Sequence, residues 1–139
     1  MRILVADDDR VISLLVCGIL RDLGHQTLAA FDQMQTLMFA MRSPAPHLIV
    51  LDLNMPGGAG GETLRRLKQS GRTSHVPVIV VSGTGDADAP ARVRELGGAA
   101  FLPKPVDREA LVTEVDRVLA ATLVIVRPPD VSASRFSYE

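Results

Sequence analysis

One cysteine, Cys17, stands alone among 139 residues, so no internal disulfide can form and no Cys/His spacing offers a structural zinc site. An excess of charge of one sign is also missing. Fifteen basic against 16 acidic side chains leave a net charge of −1, without the electrostatic footprint of direct nucleic-acid binding. No apolar run approaches the ~18–20 residues of a membrane span. The first run, residues 2–6, stops at Asp7, Asp8 and Asp9, so neither a signal peptide nor a membrane partner is expected. A reduced, cytoplasmic protein follows from these absences. Phosphate-binding glycine motifs are missing too. Gly57, Gly58, Gly60 and Gly61 match neither GxGxxG nor a Walker loop and read as a flexible turn.

What is present is an alternation. The composition, 47% hydrophobic and 22% charged, is that of one globular domain. Residues 2–6, 47–51 and 76–81 are short apolar runs rich in β-branched residues, and they stop at Asp7, Asp52 and Ser82. Such runs suit strands buried on both faces, as in a parallel sheet. Weaker strands are expected at 25–30 and 99–102. Val11, Ile12, Leu15, Ile19 and Leu23 recur at helical spacing before Gly24. Met34, Leu37, Met38 and Met41 mark a second helix, which Asp32 can cap and Pro44 ends. Leu64 and Leu67 mark a third, 87–96 a fourth with Pro90 in its first turn, and Asp107 opens a fifth carrying Leu111, Val112, Val115, Val118 and Leu119. Strands each followed by a helix predict right-handed crossovers and a doubly wound α/β sandwich.

In such a sheet, ligands bind beyond the carboxyl ends of the strands, where strand order reverses. Those ends carry Asp7, Asp8 and Asp9, then Asp52, then Ser82 and Thr84, then Lys104. If the order is 2-1-3-4-5, the first and third strands are neighbours and their carboxylates face one another. Like charges that close repel and raise at least one pKa. A hard divalent cation relieves the conflict, and Mg²⁺ needs only one or two carboxylates beside other oxygens. Asp9 reads first as the cap of the next helix. Ser82, Lys104 and Phe101, taken singly, read as a turn hydroxyl, a solvated lysine between Pro103 and Pro105, and a core ring. Together, acidic cluster, hydroxyl and lysine predict a phosphoryl-handling site.

Over residues 1 to about 121 the chain resembles the receiver domain of two-component response regulators. The resemblance rests on Ile3-Leu4-Val5-Ala6-Asp7-Asp8-Asp9, Leu51-Asp52-Leu53-Asn54-Met55-Pro56-Gly57, Val80-Val81-Ser82-Gly83 and Phe101-Leu102-Pro103-Lys104-Pro105. Their spacing, 30 residues from Asp52 to Ser82 and 52 from Asp52 to Lys104, is that of the family. It implies a (βα)5 flavodoxin-like fold with a five-stranded parallel sheet of order 2-1-3-4-5. Asp52 would take a phosphoryl group from a phosphohistidine, making the chain a signalling phosphoacceptor rather than an enzyme acting on a small molecule. Mg²⁺ would be held by Asp8, Asp52 and the backbone carbonyl of Asn54, with Asp7 acting mainly through water. Lys104 would pair with Asp52 and then with a phosphoryl oxygen. Ser82 would turn toward the phosphoryl group and Phe101 would follow it. Asn54 and Thr84 would tune dephosphorylation, and the Lys104–Pro105 peptide would be cis.

Three positions depart from the commonest family pattern. Gly83 replaces a frequent alanine, Gly61 an apolar residue, and Phe101 a frequent tyrosine. The implied partners are a histidine kinase or a histidine phosphotransfer protein. Downstream, a protein target or a second copy would meet the face of the fourth helix, fifth strand and fifth helix. Rival readings are a receiver acting as a phosphorylation-independent binding module, and a Mg²⁺-dependent phosphatase of the haloacid-dehalogenase type. The latter normally carries a second aspartate where Asn54 stands. A flavodoxin-like flavin site would need a hydroxyl/glycine loop where Asp7–Asp9 lie. Residues 1–121 are thus the expected receiver domain and 122–139 a tail or linker. Leu123–Val126 either extend the last helix or form a β-like segment before Pro128 and Pro129. Residues 122–139 are too few for an effector domain, so the expectation is a receiver with a short tail or one separated from its output domain.

Overall fold

The computed structural model describes residues 1–58, 61–83 and 87–126, with side chains of the last helix described as far as Thr122. Thr84, Gly60 and the segment from 127 onward lie outside the described residues. Five βα units run in chain order: β1 (Arg2–Ala6), α1 (Arg10–Asp22), β2 (Gln26–Ala30), α2 (Gln33–Ala40), β3 (Leu48–Leu51), α3 (Glu62–Gln69), β4 (Val78–Ser82), α4 (Ala89–Glu95), β5 (Ala100–Pro103) and α5 (Arg108–Val126). The strands form one parallel sheet of order β2-β1-β3-β4-β5, as expected. Every residue of β3 and β4 is buried, which explains why these segments read as unbroken apolar runs.

Two hydrophobic clusters cover the sheet. One face packs Ile3, Val5, Leu20, Leu111 and Val115 beneath α1 and α5. The other packs Leu4, Ile49, Leu51, Leu64 and Val80 beneath α2, α3 and α4. Aspartates start three helices as the sequence predicts. Asp9 accepts from the N–H groups of Val11 and Ile12, Asp32 from Gln35, and Asp107 from Ala110. Leu123–Val126 extend α5 rather than adding a β-like segment.

The faces of α1 and α2 correct the sequence reading. Val11 is 75% exposed and Leu15 50%, while Ser13, Val16, Cys17, Ile19 and Leu20 are buried. On α2, Met34 is 70% exposed and Met38 60%, whereas Gln33, Thr36 and Ala40 point inward. Hydrogen bonding makes the polar burial possible. Thr63 Oγ1 donates to Gln33 Oε1 at 2.9 Å, tying the start of α3 to α2, and Thr36 Oγ1 donates to the Asp32 carbonyl at 2.7 Å. Two glycines shape the approach to α3. Gly61, with φ of 93°, is its N-cap, and a Cβ on Gly58 would lie 1.9 Å from Gln33 Oε1.

Candidate functional site

Parallel pairing delivers the chemistry to one rim. The Asp7 N–H donates to the Ala30 carbonyl at 3.0 Å and the Asp52 N–H to the Ala6 carbonyl at 2.8 Å, so both aspartates leave their strands at the same level. Carboxylate oxygens of Asp7, Asp8 and Asp52 lie within 4.8 Å of one another. Asp7 and Asp52 are buried and Asp8 is exposed, giving a cluster with one open side. Asp9 faces away as the α1 cap, and its N–H donates to Asp7 Oδ1 at 2.9 Å. On Asp52, Oδ1 accepts from the Asn54 N–H at 3.2 Å.

Lys104 comes just after β5 and reaches back across the rim. Its N–H donates to the Ser82 carbonyl at 2.8 Å, and Nζ stands 2.9 Å from Asp7 Oδ2 and 3.6 Å from Asp52 Oδ2. The lysine therefore sits closer to Asp7 than to the Asp52 with which the resemblance paired it. The Lys104–Pro105 peptide is cis, as the resemblance implies. Ser82, wholly buried at the end of β4, has an Oγ with no hydrogen-bond partner among the described residues. Phe101, half-buried, packs against the cluster that contains Val80 and Val93. A Cβ on Gly83 would lie 3.4 Å from Lys104 Cδ, so the alanine common at this position would fit against the lysine stem.

The electrostatics reflect this crowding. Burial pushes the Asp52 carboxyl above the usual carboxylate range, and Asp7 and Asp8 push it further, against the Asn54 N–H and Lys104. Lys104 is held above the ordinary lysine value. Burial opposes its charge, but the hydrogen bond to Asp7 and the Asp52 carboxylate outweigh that cost. Two of the three carboxylates are shielded from water, and all three supply hard oxygen donors. This donor set fits Mg²⁺, which favours oxygen ligands and retains several waters. The buried, unpartnered Ser82 hydroxyl is the kind of group a phosphoryl oxygen satisfies.

Comparison with known proteins agrees with the geometry. The sequence model of the response regulator receiver domain matches residues 3–116. The chain belongs to the response regulator receiver family. This receiver is 32% identical over 119 residues to the protein PilH of Pseudomonas aeruginosa, covering 86% of this chain and 98% of that one. It is 31% identical over 118 residues to the phosphate regulon transcriptional regulatory protein PhoB of Escherichia coli, covering 85% of this chain and 51% of PhoB. It thus spans about half the length of the first curated relatives it matches. Among solved structures, the receiver domain of NtrX from Brucella abortus superposes with a TM-score of 0.77 at 34% identity, over 85% of this chain and 98% of that one. No helix among the described residues is long and apolar enough to cross a membrane.

The structure brings together Asp7, Asp8, Asp52 and Lys104, with Ser82 bonded through its backbone to Lys104. Thr84, expected to tune dephosphorylation, falls outside the described residues. The Asp7–Lys104 pair is not foreseen from the sequence. No sequence motif records which of the rim carboxylates Lys104 approaches.

Proposed function

We propose that this receiver accepts a phosphoryl group from a histidine kinase or histidine phosphotransfer protein onto Asp52 and thereby controls a partner. The observation that carries the reading is the buried Asp52 carboxylate, crowded by Asp7 and Asp8 and beside Lys104, with an unsatisfied Ser82 hydroxyl at the end of the neighbouring strand β4. An Asp52 oxygen attacks phosphorus, the P–O bond forms, and the P–N bond to the donor imidazole breaks with its electron pair returning to nitrogen. The attack brings negative groups together, so the developing charge must be neutralised in place. Asp8, Asp52 and the Asn54 carbonyl would hold Mg²⁺, with Asp7 reaching it through water. When bound, Mg²⁺ supplies positive charge to the transferring oxygens. Lys104 supplies the other cation, already held charged by its carboxylate partners.

The product carries about −2 of charge beside a short hydroxyl that can rotate. Ser82 donates to it, and Phe101 moves toward the space left behind. Ser82, Lys104 and Phe101 all lie at the β4–β5 end of the sheet, which supports the α4, β5 and α5 face as the surface that responds. Water hydrolyses the acyl phosphate and resets the switch, at a rate tuned by Asn54 and Thr84. We assign residues 1–121 to the receiver and 122–139 to an extension or linker.

Incubation with a small phosphodonor and Mg²⁺, then intact-mass measurement, tests the proposal. One added phosphoryl group is expected, lost in Asp52→Asn and lost when the cation is chelated. No adduct on the folded protein, or one that persists in Asp52→Asn, overturns the assignment.

A further inference from the structure

All nine exposed large hydrophobic side chains among the described residues fall within residues 1–41. Leu14, Leu28, Met34 and Met38 lie on α1, β2 and α2 around the free edge of the sheet. β2 occupies that edge with Gln26-Thr27-Leu28-Ala29-Ala30, which contains no charge and no proline. Charge and proline are the usual devices that blunt an open strand, and the opposite edge ends in Pro103 and then Lys104. The bonds to β1 involve Gln26 and Ala30: the Gln26 N–H donates to the Met1 carbonyl and the Ala30 carbonyl accepts from Asp7. Strand alternation then turns the N–H and C=O groups of Thr27 and Ala29 outward. The neighbouring Phe31 N–H is already taken by Gln35 Oε1 at 2.8 Å.

A groove lies on each side of this edge. Toward α2, Leu28, Phe39, Arg2 and Arg42 line one of about 270 Å³. Toward α1, Leu14, Cys17, Arg10 and Arg21 line another of about 370 Å³. Their four arginines form no ion pair among the described residues. Arg10 lies 4.0 Å from the centroid of the Phe31 ring and Arg42 4.7 Å from that of Phe39. Arg21 donates to Thr27 Oγ1 at 3.0 Å and Arg2 to the Ala45 carbonyl at 3.0 Å. The nearby carboxylates of Asp9 and Asp32 are committed to capping α1 and α2.

We propose that the β2 edge docks an extended acidic segment of a partner protein as a sixth strand. Its backbone pairs with Thr27 and Ala29, and its side chains alternate between the two grooves, acidic groups meeting the arginines and apolar ones meeting Leu14, Leu28 and Phe39. A second copy of this chain is the poorer occupant, because pairing β2 with β2 sets one arginine rim against another. The site shares no residue with the Asp52 cluster, so it stands or falls apart from phosphorylation.

The test uses the full chain and a labelled peptide repeating Val-Val-Asp-Glu, so that each face of the strand carries both valine and an acid, read by fluorescence anisotropy. The acidic peptide is expected to bind, to weaken with added salt, and to outcompete a version with lysine in the acidic positions. Ala29→Pro removes an outward N–H while sparing the ladder to β1, and proline is tolerated at such an edge. It should weaken binding about tenfold or more. Arg42→Glu, at an exposed position on the rim, should do so at least as strongly and serves if Ala29→Pro fails to fold. Equal binding of acidic and basic peptides, or indifference to both substitutions, overturns the proposal. So does a dimer in sedimentation that Ala29→Pro disperses, since that result gives the edge to a second copy.

Discussion

Ser82 and Asp52 are both held at a cost to the fold, and each cost belongs to the resting state. A wholly buried hydroxyl without a partner destabilises by about 1–3 kcal/mol relative to a satisfied or apolar group. Ser82→Ala is therefore expected to keep or raise stability by up to about 1 kcal/mol in urea denaturation, while abolishing the conformational response to phosphorylation. A drop in stability would show that Oγ has a partner. For Asp52 the folded pKa is raised above its unfolded value. Its favourable contribution is complete below the unfolded pKa and is lost as pH rises through the folded pKa, so at neutral pH its charge weakens the fold. Asp52→Asn should raise Tm when no divalent cation is added. A fall in Tm would mean that Lys104 already compensates the charge.

At the scale of elements, legibility tracks burial. β3 and β4 are buried on both faces, so their apolar runs announce them and the residues at their ends, Asp52 and Ser82, mark the rim. α1 and α2 flank the free β2 edge and carry apolar residues outward, at Val11, Leu14, Met34 and Met38. Periodicity alone therefore finds these helices and places Ile12, Ile19 and Leu37 on the core, but it misplaces Val11, Leu15, Met34 and Met38, which point outward. The Gln33–Thr63 bond that replaces an apolar contact is equally hidden, because two polar residues 30 positions apart carry no pattern. The bond depends on Gly58. Gly58→Ala would drive a methyl into Gln33 and is expected to cost about 1–3 kcal/mol, read as a lower denaturation midpoint without loss of the Asp52 adduct. The carboxylate cluster is legible because strand ends converge in a parallel sheet. The placement of Lys104 Nζ between Asp7 and Asp52 is not.

For the whole molecule, near-neutral net charge conceals a division of labour. Carboxylates gather on the rim at the ends of β1 and β3, and arginines gather along the β2 edge. A cation that binds only the folded acidic cluster stabilises by mass action, by about 2.7 kcal/mol at a hundred times its Kd. Mg²⁺ should accordingly raise the Tm of this receiver and leave that of Asp52→Asn nearly unchanged. Equal shifts in both would place the cation elsewhere. The central claim is that Asp52, among three adjacent aspartates, forms the bond to phosphorus. Borohydride reduction of the phosphorylated protein converts an aspartyl phosphate to homoserine, and sequencing by mass spectrometry locates it. Homoserine at position 52, with Asp7 and Asp8 intact, is the predicted result. Homoserine at either of those positions, or at none on a protein carrying the adduct, would contradict it.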